Sequence, residues 1–171
     1  PLTAARVHKH FGYLPEHFWP SRRLRADEFL RIFARGLRCP PEEADMLLEE
    51  MGLSAHRHKR LHTLSRGLIQ RLGLSCSLLG GKTVLILDEP TLGLDPLGQR
   101  QMLSLLARLA AQGKTVIFSS HQLFQVERVC DRIGVMHRGN LLFCGRSAAL
   151  LSKTGASTLE EAFVRQLDMA G

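Results

Sequence analysis

The stretch VLILDEP places two acidic side chains directly after an apolar run. Asp88 and Glu89 follow four apolar residues that are typical of a strand buried on both faces of a parallel sheet. Ligands of open α/β sheets bind beyond the carboxyl ends of such strands. There Asp88 could hold a magnesium ion, and Glu89 could orient or deprotonate a water that attacks a phosphate. Taken alone, the pattern is equally compatible with Asp88 as a cap of a turn.

Three further short motifs carry chemistry-bearing residues in order around this pair. TLSRGLIQR begins a predicted helix, whose N-terminus would attract an anion, and glycine at Gly67 would allow close approach. A plain N-cap would use the same serine, Ser65. GLDP brings Asp95 after the acidic pair, and SSH places His121 after a second apolar strand. On its own, His121 is better explained as a residue at the start of a helix, after Ser119 and Ser120.

Two GKT triplets raise the question of a phosphate-binding loop. Such a loop needs G-x-x-x-x-G-K-[ST] between a strand and a following helix. The positions that would need the first glycine hold Cys76 and Arg108, and in both cases a strand follows the triplet. We interpret both as glycines that end a helix before a strand. The 171 residues therefore contain no phosphate-binding loop.

The elements that must position these residues differ between the two halves of the chain. Residues 16–80 are predicted to be helical, and the first helix should bury one face, formed by Phe29, Leu30, Ile32, Phe33 and Leu37. The later half alternates strand and helix, which predicts a parallel α/β layer. The strands VLILD and KTVIFSS should be buried, RIGVMHRGNLLFCG should form a hairpin, and Ser157 to Glu160 should form a capping box.

Composition sets broad limits. The net charge of +7 is concentrated in residues 1–71, which carry 13 Lys/Arg and 8 Asp/Glu. Such an excess could meet nucleic acid or anionic lipid, although a solvated surface is the favoured interpretation because no nucleic-acid module accompanies it. No apolar run is long enough to cross a bilayer. The four scattered cysteines indicate neither a disulfide framework nor a zinc site and favour a reducing compartment.

The order of these motifs resembles the nucleotide-binding domain of ABC transporters. TLSRGLIQR is similar to the signature helix, VLILDEP to the Walker B strand, GLDP to the D-loop and SSH to the switch histidine. FGYLPE extends the resemblance to the Q-loop. The resemblance implies an α/β fold: a partial P-loop NTPase (RecA-like) parallel sheet core with an inserted α-helical subdomain. Residues 1–15 would be the core remnant, 16–80 the helical subdomain and 81–171 the remaining core.

The resemblance also implies roles for individual residues, with ATP and Mg²⁺ as the ligands. Glu89 would be the general base and His121 would contact the γ-phosphate. The magnesium ion would be held by Asp88 and Glu16, and the signature and D-loop residues Ser65, Arg66, Gly67 and Asp95 would serve ATP and the opposing subunit. The sequence departs from the family at two of these motifs. LSRGL stands where LSGGQ is usual, so Leu68 is given no role, and Glu16 replaces the Q-loop glutamine.

The implied function is that of the ATP-binding subunit of an exporter. A partner membrane permease, a head-to-tail dimer with a second ATP-binding domain and a peripheral place at the cytoplasmic face of the membrane are expected, with no nucleic acid. Phe18 and Trp19 are the candidates for docking the permease, whereas Phe11 and Tyr13 are expected to pack in the core.

The family's Walker A loop belongs before Pro1, so the 171 residues are expected to hydrolyse ATP little or not at all. Two alternatives stay open. One is a soluble ABC-type ATPase that acts on nucleic acid or ribosomes. The other is a binding-only domain that lends its signature helix to a competent partner.

Overall fold

The computed structural model describes residues 9–169. Contacts divide the chain into two compact units, with the boundary between Ser119 and Ser120. Each unit is described by itself below. The three-part division expected from the resemblance stays a prediction.

The first unit is organised around a parallel sheet of three short strands. β1 spans Phe11–Leu14, β2 spans Val84–Leu87 and β3 spans Thr115–Phe118, in the order β1-β2-β3. The register aligns the last residues, since Leu14 pairs with Leu87 and Leu87 with Phe118. Residues that follow the three strands therefore emerge at one edge of the sheet.

Three helices lie between β1 and β2 in the sequence, and a fourth follows β2. They are α1 (Ala26–Gly36), α2 (Pro41–Glu50), α3 (Arg66–Leu78) and α4 (Pro96–Ala111). Local sequence explains where the helices begin. Ser65 caps α3 and Asp95 caps α4, each by accepting a hydrogen bond from a backbone amide three residues later. Leucines of these helices and of the strands form one core cluster.

The sheet buries only one of its faces among the described residues. Leu14, Leu85 and Leu87 are almost fully buried, whereas the alternating side chains Tyr13 and Ile117 are 60% and 55% exposed. The predictions of strands buried on both faces and of Phe11 and Tyr13 in the core are therefore wrong for this part of the chain. The reason is that side chains alternate along a strand, and the described helices cover one face only.

The buried stripe of α1 also differs from the prediction. Phe29 and Leu30 are buried, but Ile32, Phe33 and Leu37 are exposed. Two small residues, Ala26 and Ala34, complete the buried stripe instead. Their spacing from Phe29 and Leu30 follows the helical repeat, and their size lets α1 approach its neighbours closely.

The second unit contains a hairpin and three helices within its described residues. β4 (Ile133–His137) and β5 (Asn140–Gly145) form the predicted hairpin. The helices are α5 (Leu123–Val129), α6 (Ser147–Thr154) and α7 (Leu159–Asp168). The cap of α7 lies one residue later than predicted, because Thr158 accepts from the amide of Glu161. The run S-T-L-E-E offers both frames, and the sequence alone does not choose between them.

Candidate functional site

The acidic pair lies at the carboxyl edge of the sheet, where a neighbouring strand supports it. The Ser119 hydroxyl follows β3, donates to Asp88 Oδ1 at 2.6 Å and accepts from the Glu89 amide at 2.9 Å. The amide of Asp88 donates to the carbonyl of Leu14 at 2.8 Å. One serine therefore fixes both the side chain of Asp88 and the backbone of Glu89. The sequence analysis missed Ser119, although its place directly after an apolar strand was the available signal.

Glu89 has an unusual backbone conformation. Its φ is +44°, in the left-handed region that side-chain-bearing residues seldom adopt. Such a conformation costs on the order of 1 to 3 kcal/mol and persists where the surrounding structure fixes it. Hydrogen bonds hold both sides of this residue. The Glu89 amide donates to the Ser119 hydroxyl, and the Glu89 carbonyl accepts from the Leu92 amide at 3.0 Å, which closes a turn. Strain at a carboxylate next to a strand end is typical of functional sites.

The signature segment combines an exposed serine with an uncrowded glycine. Ser65 Oγ accepts from the Leu68 amide at 3.4 Å, which is a long cap. A Cβ added to Gly67 would meet only Leu94, at an ordinary 3.9 Å. Packing within the chain therefore does not require glycine at this position. A start of α3 with free access suits the approach of an anion.

Arg66 connects this segment to the turn after the acidic pair. A Cβ added to Gly93 would lie 2.6 to 2.8 Å from the Arg66 guanidinium, so the guanidinium rests against that turn. Asp95, two residues later, accepts from the Gly98 amide at 2.8 Å and begins α4. The signature residues and Asp95 are thus brought together within the first unit.

Glu16 lies two residues beyond the end of β1, on the same edge as the acidic pair. Its carboxylate is 3.2 Å from His17 Nδ1, and it lines a cavity of about 280 Å³ together with Trp19, His62 and Arg66. Phe18 does not point outward as predicted for docking. Its ring packs edge-on against Phe29 at 5.9 Å, beside the core. Trp19 is 80% exposed.

His121 belongs to the second unit. It follows Ser119 by two residues, is exposed and precedes α5, whose N-cap is Gln122. Its predicted contact with the γ-phosphate stays a prediction.

The candidate magnesium ligands have the right chemistry for that ion. Among residues 9–169 no group of three or more His, Cys, Asp or Glu side chains could hold a metal. Mg²⁺ needs no such cage, because it usually takes one or two carboxylates and fills its other positions with water and phosphate oxygens. Asp88 and Glu16, which supply only oxygen donors at the sheet edge, fit this requirement.

The GGKT segment binds a carboxylate side chain of the same chain, that of Glu43. α3 ends at Leu78, and the amides of Gly80 and Gly81, both at positive φ, donate to Glu43 Oε1 at 2.6 and 3.3 Å. Consecutive amides of this kind make an anion-binding hollow, which a side chain of α2 occupies here. The prediction that these glycines end a helix is confirmed.

A parallel sheet with an acidic pair at its carboxyl edge, and with helices inserted after its first described strand, defines an ATP-binding domain of the P-loop NTPase fold. The chain belongs to the ABC transporter family, whose sequence pattern matches residues 2–92. ATP-binding domains of this family bind ATP, usually with Mg²⁺, and act as ATPases that dimerise and serve a membrane permease. The predicted family and fold are confirmed.

Individual relatives agree with this assignment. An uncharacterised ABC transporter ATP-binding protein of Synechocystis is 36% identical over 157 residues, which are 88% of this chain and 44% of that protein. The linearmycin resistance ATP-binding protein LnrL of Bacillus subtilis is 29% identical over 97% of this chain and 55% of its own length. The structure of an ATP-binding subunit of an ABC transporter superposes with a TM-score of 0.79 at 28% identity, covering 93% of this chain and 69% of that one. The chain spans about half the length of the curated relatives it matches.

None of the helices within residues 9–169 combines the length and the apolar character that a membrane span requires.

Proposed function

We propose that this chain is part of the ATP-binding subunit of an exporter, in which ATP hydrolysis drives transport through a partner permease. The observation that carries the proposal is the sheet edge, where Ser119 holds Asp88 and the strained Glu89 together. LnrL, a resistance protein by name, supports the export direction.

The residues divide the work of hydrolysis between them. Glu89 acts as general base and takes a proton from the attacking water, a role that typically contributes about 10² to 10⁴ in rate. Asp88 and Glu16 would hold Mg²⁺ through their carboxylate oxygens, and the ion would neutralise charge on the phosphates. Ser119 positions Asp88. His121 contacts the γ-phosphate.

The signature segment at the start of α3 binds the nucleotide that a second ATP-binding domain holds. Ser65 and the amides at the start of α3 bind a phosphate held by the opposing subunit, with Arg66 adding positive charge and Gly67 allowing close approach. Asp95 bridges to that subunit across a head-to-tail dimer. The permease docks at the cavity beside Trp19, which places the subunit peripherally at the cytoplasmic face of the membrane.

The test uses the full-length protein with its permease in vesicles. Glu89→Gln is expected to lower ATP turnover at least about 100-fold while ATP binding persists, because the change removes the base and keeps the size of the side chain. Glu49→Gln, an exposed glutamate at the end of α2, is the matched control and should keep normal turnover. Unchanged turnover in Glu89→Gln would refute the assignment. So would appreciable turnover by the 171 residues alone that Glu89→Gln removes, because they contain no phosphate-binding loop.

The signature role needs a test in trans. We expect this chain, mixed with an intact homologous domain, to support joint ATP hydrolysis that Ser65→Arg abolishes, because the larger side chain blocks the start of α3. Ser54→Arg, on an exposed short turn of the same unit, is the control. Equal activity of the two variants would exclude a phosphate contact at Ser65.

A further inference from the structure

Gln70 is a buried polar side chain whose oxygen has no partner in the described part of the chain. It lies in the second turn of α3, and only 3% of its surface is exposed. Its Oε1 atom is buried and has no hydrogen-bond partner among residues 9–169. A buried acceptor without a partner lowers stability, and most buried polar atoms of folded proteins are hydrogen-bonded. The amide of Gln70 therefore needs a reason, and its place in the fold supplies one.

The cavity beside Trp19 lies against this side chain. Gln70 lines it, together with Glu16 and with Trp19 itself, which is 80% exposed. The terminal torsion of a glutamine is broad, so either end of the amide can turn toward the cavity while the rest of the side chain stays in place. The cavity measures about 280 Å³. Sites for small ligands usually occupy roughly 300 to 1,000 Å³, so this cavity is better suited to side chains of a docking protein segment.

The charges around the cavity restrict the group that could reach Gln70. Arg22 and Arg66 line the cavity and are exposed, and neither takes part in an ion pair within residues 9–169. The carboxylate of Glu16 lines it too, but this carboxylate already lies 3.2 Å from His17 Nδ1. A lysine or arginine that entered would meet two guanidinium groups of like charge. The donor that suits Gln70 is therefore neutral, a hydroxyl or an amide.

We propose that Gln70 recognises the permease, because its amide oxygen accepts a hydrogen bond from a hydroxyl or amide side chain of the segment that docks beside Trp19. This inference rests on the proposed function and adds the residue that selects the docking segment. Trp19 provides apolar contact area at the same place, as tryptophan often does at the centre of an interface. The chain without its permease keeps an unfavourable buried acceptor, which the complex satisfies. Stability is commonly given up in this way at functional positions.

The first measurement is the stability of the 171-residue chain without permease. Gln70→Met keeps the length and the helix propensity of the side chain and removes the amide. It should raise the urea midpoint by about 0.5 M, because apolar atoms replace an acceptor that has no partner. Gln101→Met is the matched control. Gln101 Oε1 accepts from Arg71 at 2.7 Å, so the same replacement removes a hydrogen bond and should lower the midpoint or leave it unchanged.

The second measurement is the affinity of the full-length protein for its permease. Gln70→Met should weaken this binding about 10-fold or more, since it leaves the donor of the permease buried without an acceptor. Gln101→Met should bind as the wild-type protein does. ATP turnover measured without permease should be unchanged in Gln70→Met, because Gln70 lies outside both the acidic pair and the signature residues. A gain in stability together with a loss of binding is the result that a merely structural glutamine would not give.

Double-mutant cycles identify the partner group. Each hydroxyl and amide residue in the cytoplasmic loops of the permease is replaced by an apolar residue, alone and together with Gln70→Met. One of these replacements should weaken binding to the wild-type protein and have no further effect with Gln70→Met. Coupling of Gln70 to a lysine or arginine of the permease instead would contradict the neutral donor.

Two kinds of result would overturn the proposal. A lower urea midpoint for Gln70→Met would show that the amide already has a partner within the protein. Equal binding of the permease by the wild-type protein and Gln70→Met, or an equal loss in Gln101→Met, would show that Gln70 does not recognise the docking segment. Both leave the proposed transport function standing, since it does not depend on Gln70. Failure of the wild-type protein to bind its permease would contradict the proposed function as well, and Glu89→Gln tests hydrolysis separately.

Discussion

Replacing Gly12 by alanine should disrupt the packing of β1 against α3. A Cβ at Gly12 would overlap the carbonyl oxygen of Ser77 and lie 2.8 Å from its carbonyl carbon. The obstacle is backbone, so no rotamer change relieves it, and strand and helix must move apart. Overpacking usually costs about 1 to 3 kcal/mol, and a backbone obstacle places this change at about 3 kcal/mol or more.

Alanine substitutions at two other glycines should have smaller effects on stability. A Cβ at Gly73 would approach only the side chains of Leu14 and Phe18, at 2.6 and 2.9 Å, and these can rotate. With about 1 kcal/mol regained in helix propensity, the net cost of Gly73→Ala should be about 1 kcal/mol. Gly36, at the end of α1, has nothing within 4 Å. Gly36→Ala should be neutral or stabilise by at most about 1 kcal/mol.

Urea unfolding of the 171-residue chain, followed by circular dichroism, measures the series. With a slope of about 2 kcal/mol/M, Gly12→Ala should lower the midpoint of the first unit by about 1.5 M, unless the variant is already unfolded in buffer. A midpoint for Gly12→Ala as high as that for Gly36→Ala would refute the contact between β1 and α3.

Three further outcomes are expected. Ser119→Ala should lower stability by about 1 kcal/mol and speed hydrogen exchange of the Glu89 amide, which donates to the Ser119 hydroxyl. Ser119→Thr keeps a hydroxyl and should not speed it. Equal exchange in both variants would contradict the hydrogen bonds from Glu89 to Ser119 and from Ser119 to Asp88. Burial raises the pKa of Cys76 to about 12, so iodoacetamide at pH 8 should modify the exposed Cys144 first and Cys76 only after unfolding, as mass spectrometry of the peptides would show. Hydrogen bonds from the amide and hydroxyl of Ser157 lower the pKa of Glu161 from 4.5, so the contribution of this carboxylate to α7 is complete above that value and is lost as pH falls through the lowered pKa. NMR titration should show this loss, and Glu161→Gln should remove its pH dependence.

The order of elements could be predicted from sequence because each local signal was strong. Apolar runs before Asp88 and before Ser119 predicted β2 and β3, and the hairpin near Gly139 had both turn residues and flanking strands. Burial was harder to predict. Ile86 and Ile117 are apolar and still exposed, because a strand pattern states which residues suit burial and not whether a layer covers them.

Residues of the candidate site were predictable where a motif marks them. Asp88, Glu89 and Ser65 lie in recognisable sequence motifs. The structure places Asp88 and Glu89 at the sheet edge and Ser65 at the start of α3. The contacts of Ser119 are not indicated by any sequence motif. Its role arises from the parallel register of β2 and β3, which brings together positions 31 residues apart in the case of Asp88. Side-chain partners set by register are visible only once the strands are paired.

Two glycines near the signature segment differ in whether their own chain requires them. Gly93 is required by its own chain, because its φ of +69° lies in the left-handed region that favours glycine, whereas the Arg66 guanidinium beside it can move away. Gly67 has no such constraint, since a Cβ would make one ordinary contact. Packing within the described residues therefore gives no reason for glycine in the first turn of α3. The proposed close approach of a phosphate held by another subunit would supply such a reason, and it agrees with the exposed Ser65 hydroxyl two residues earlier.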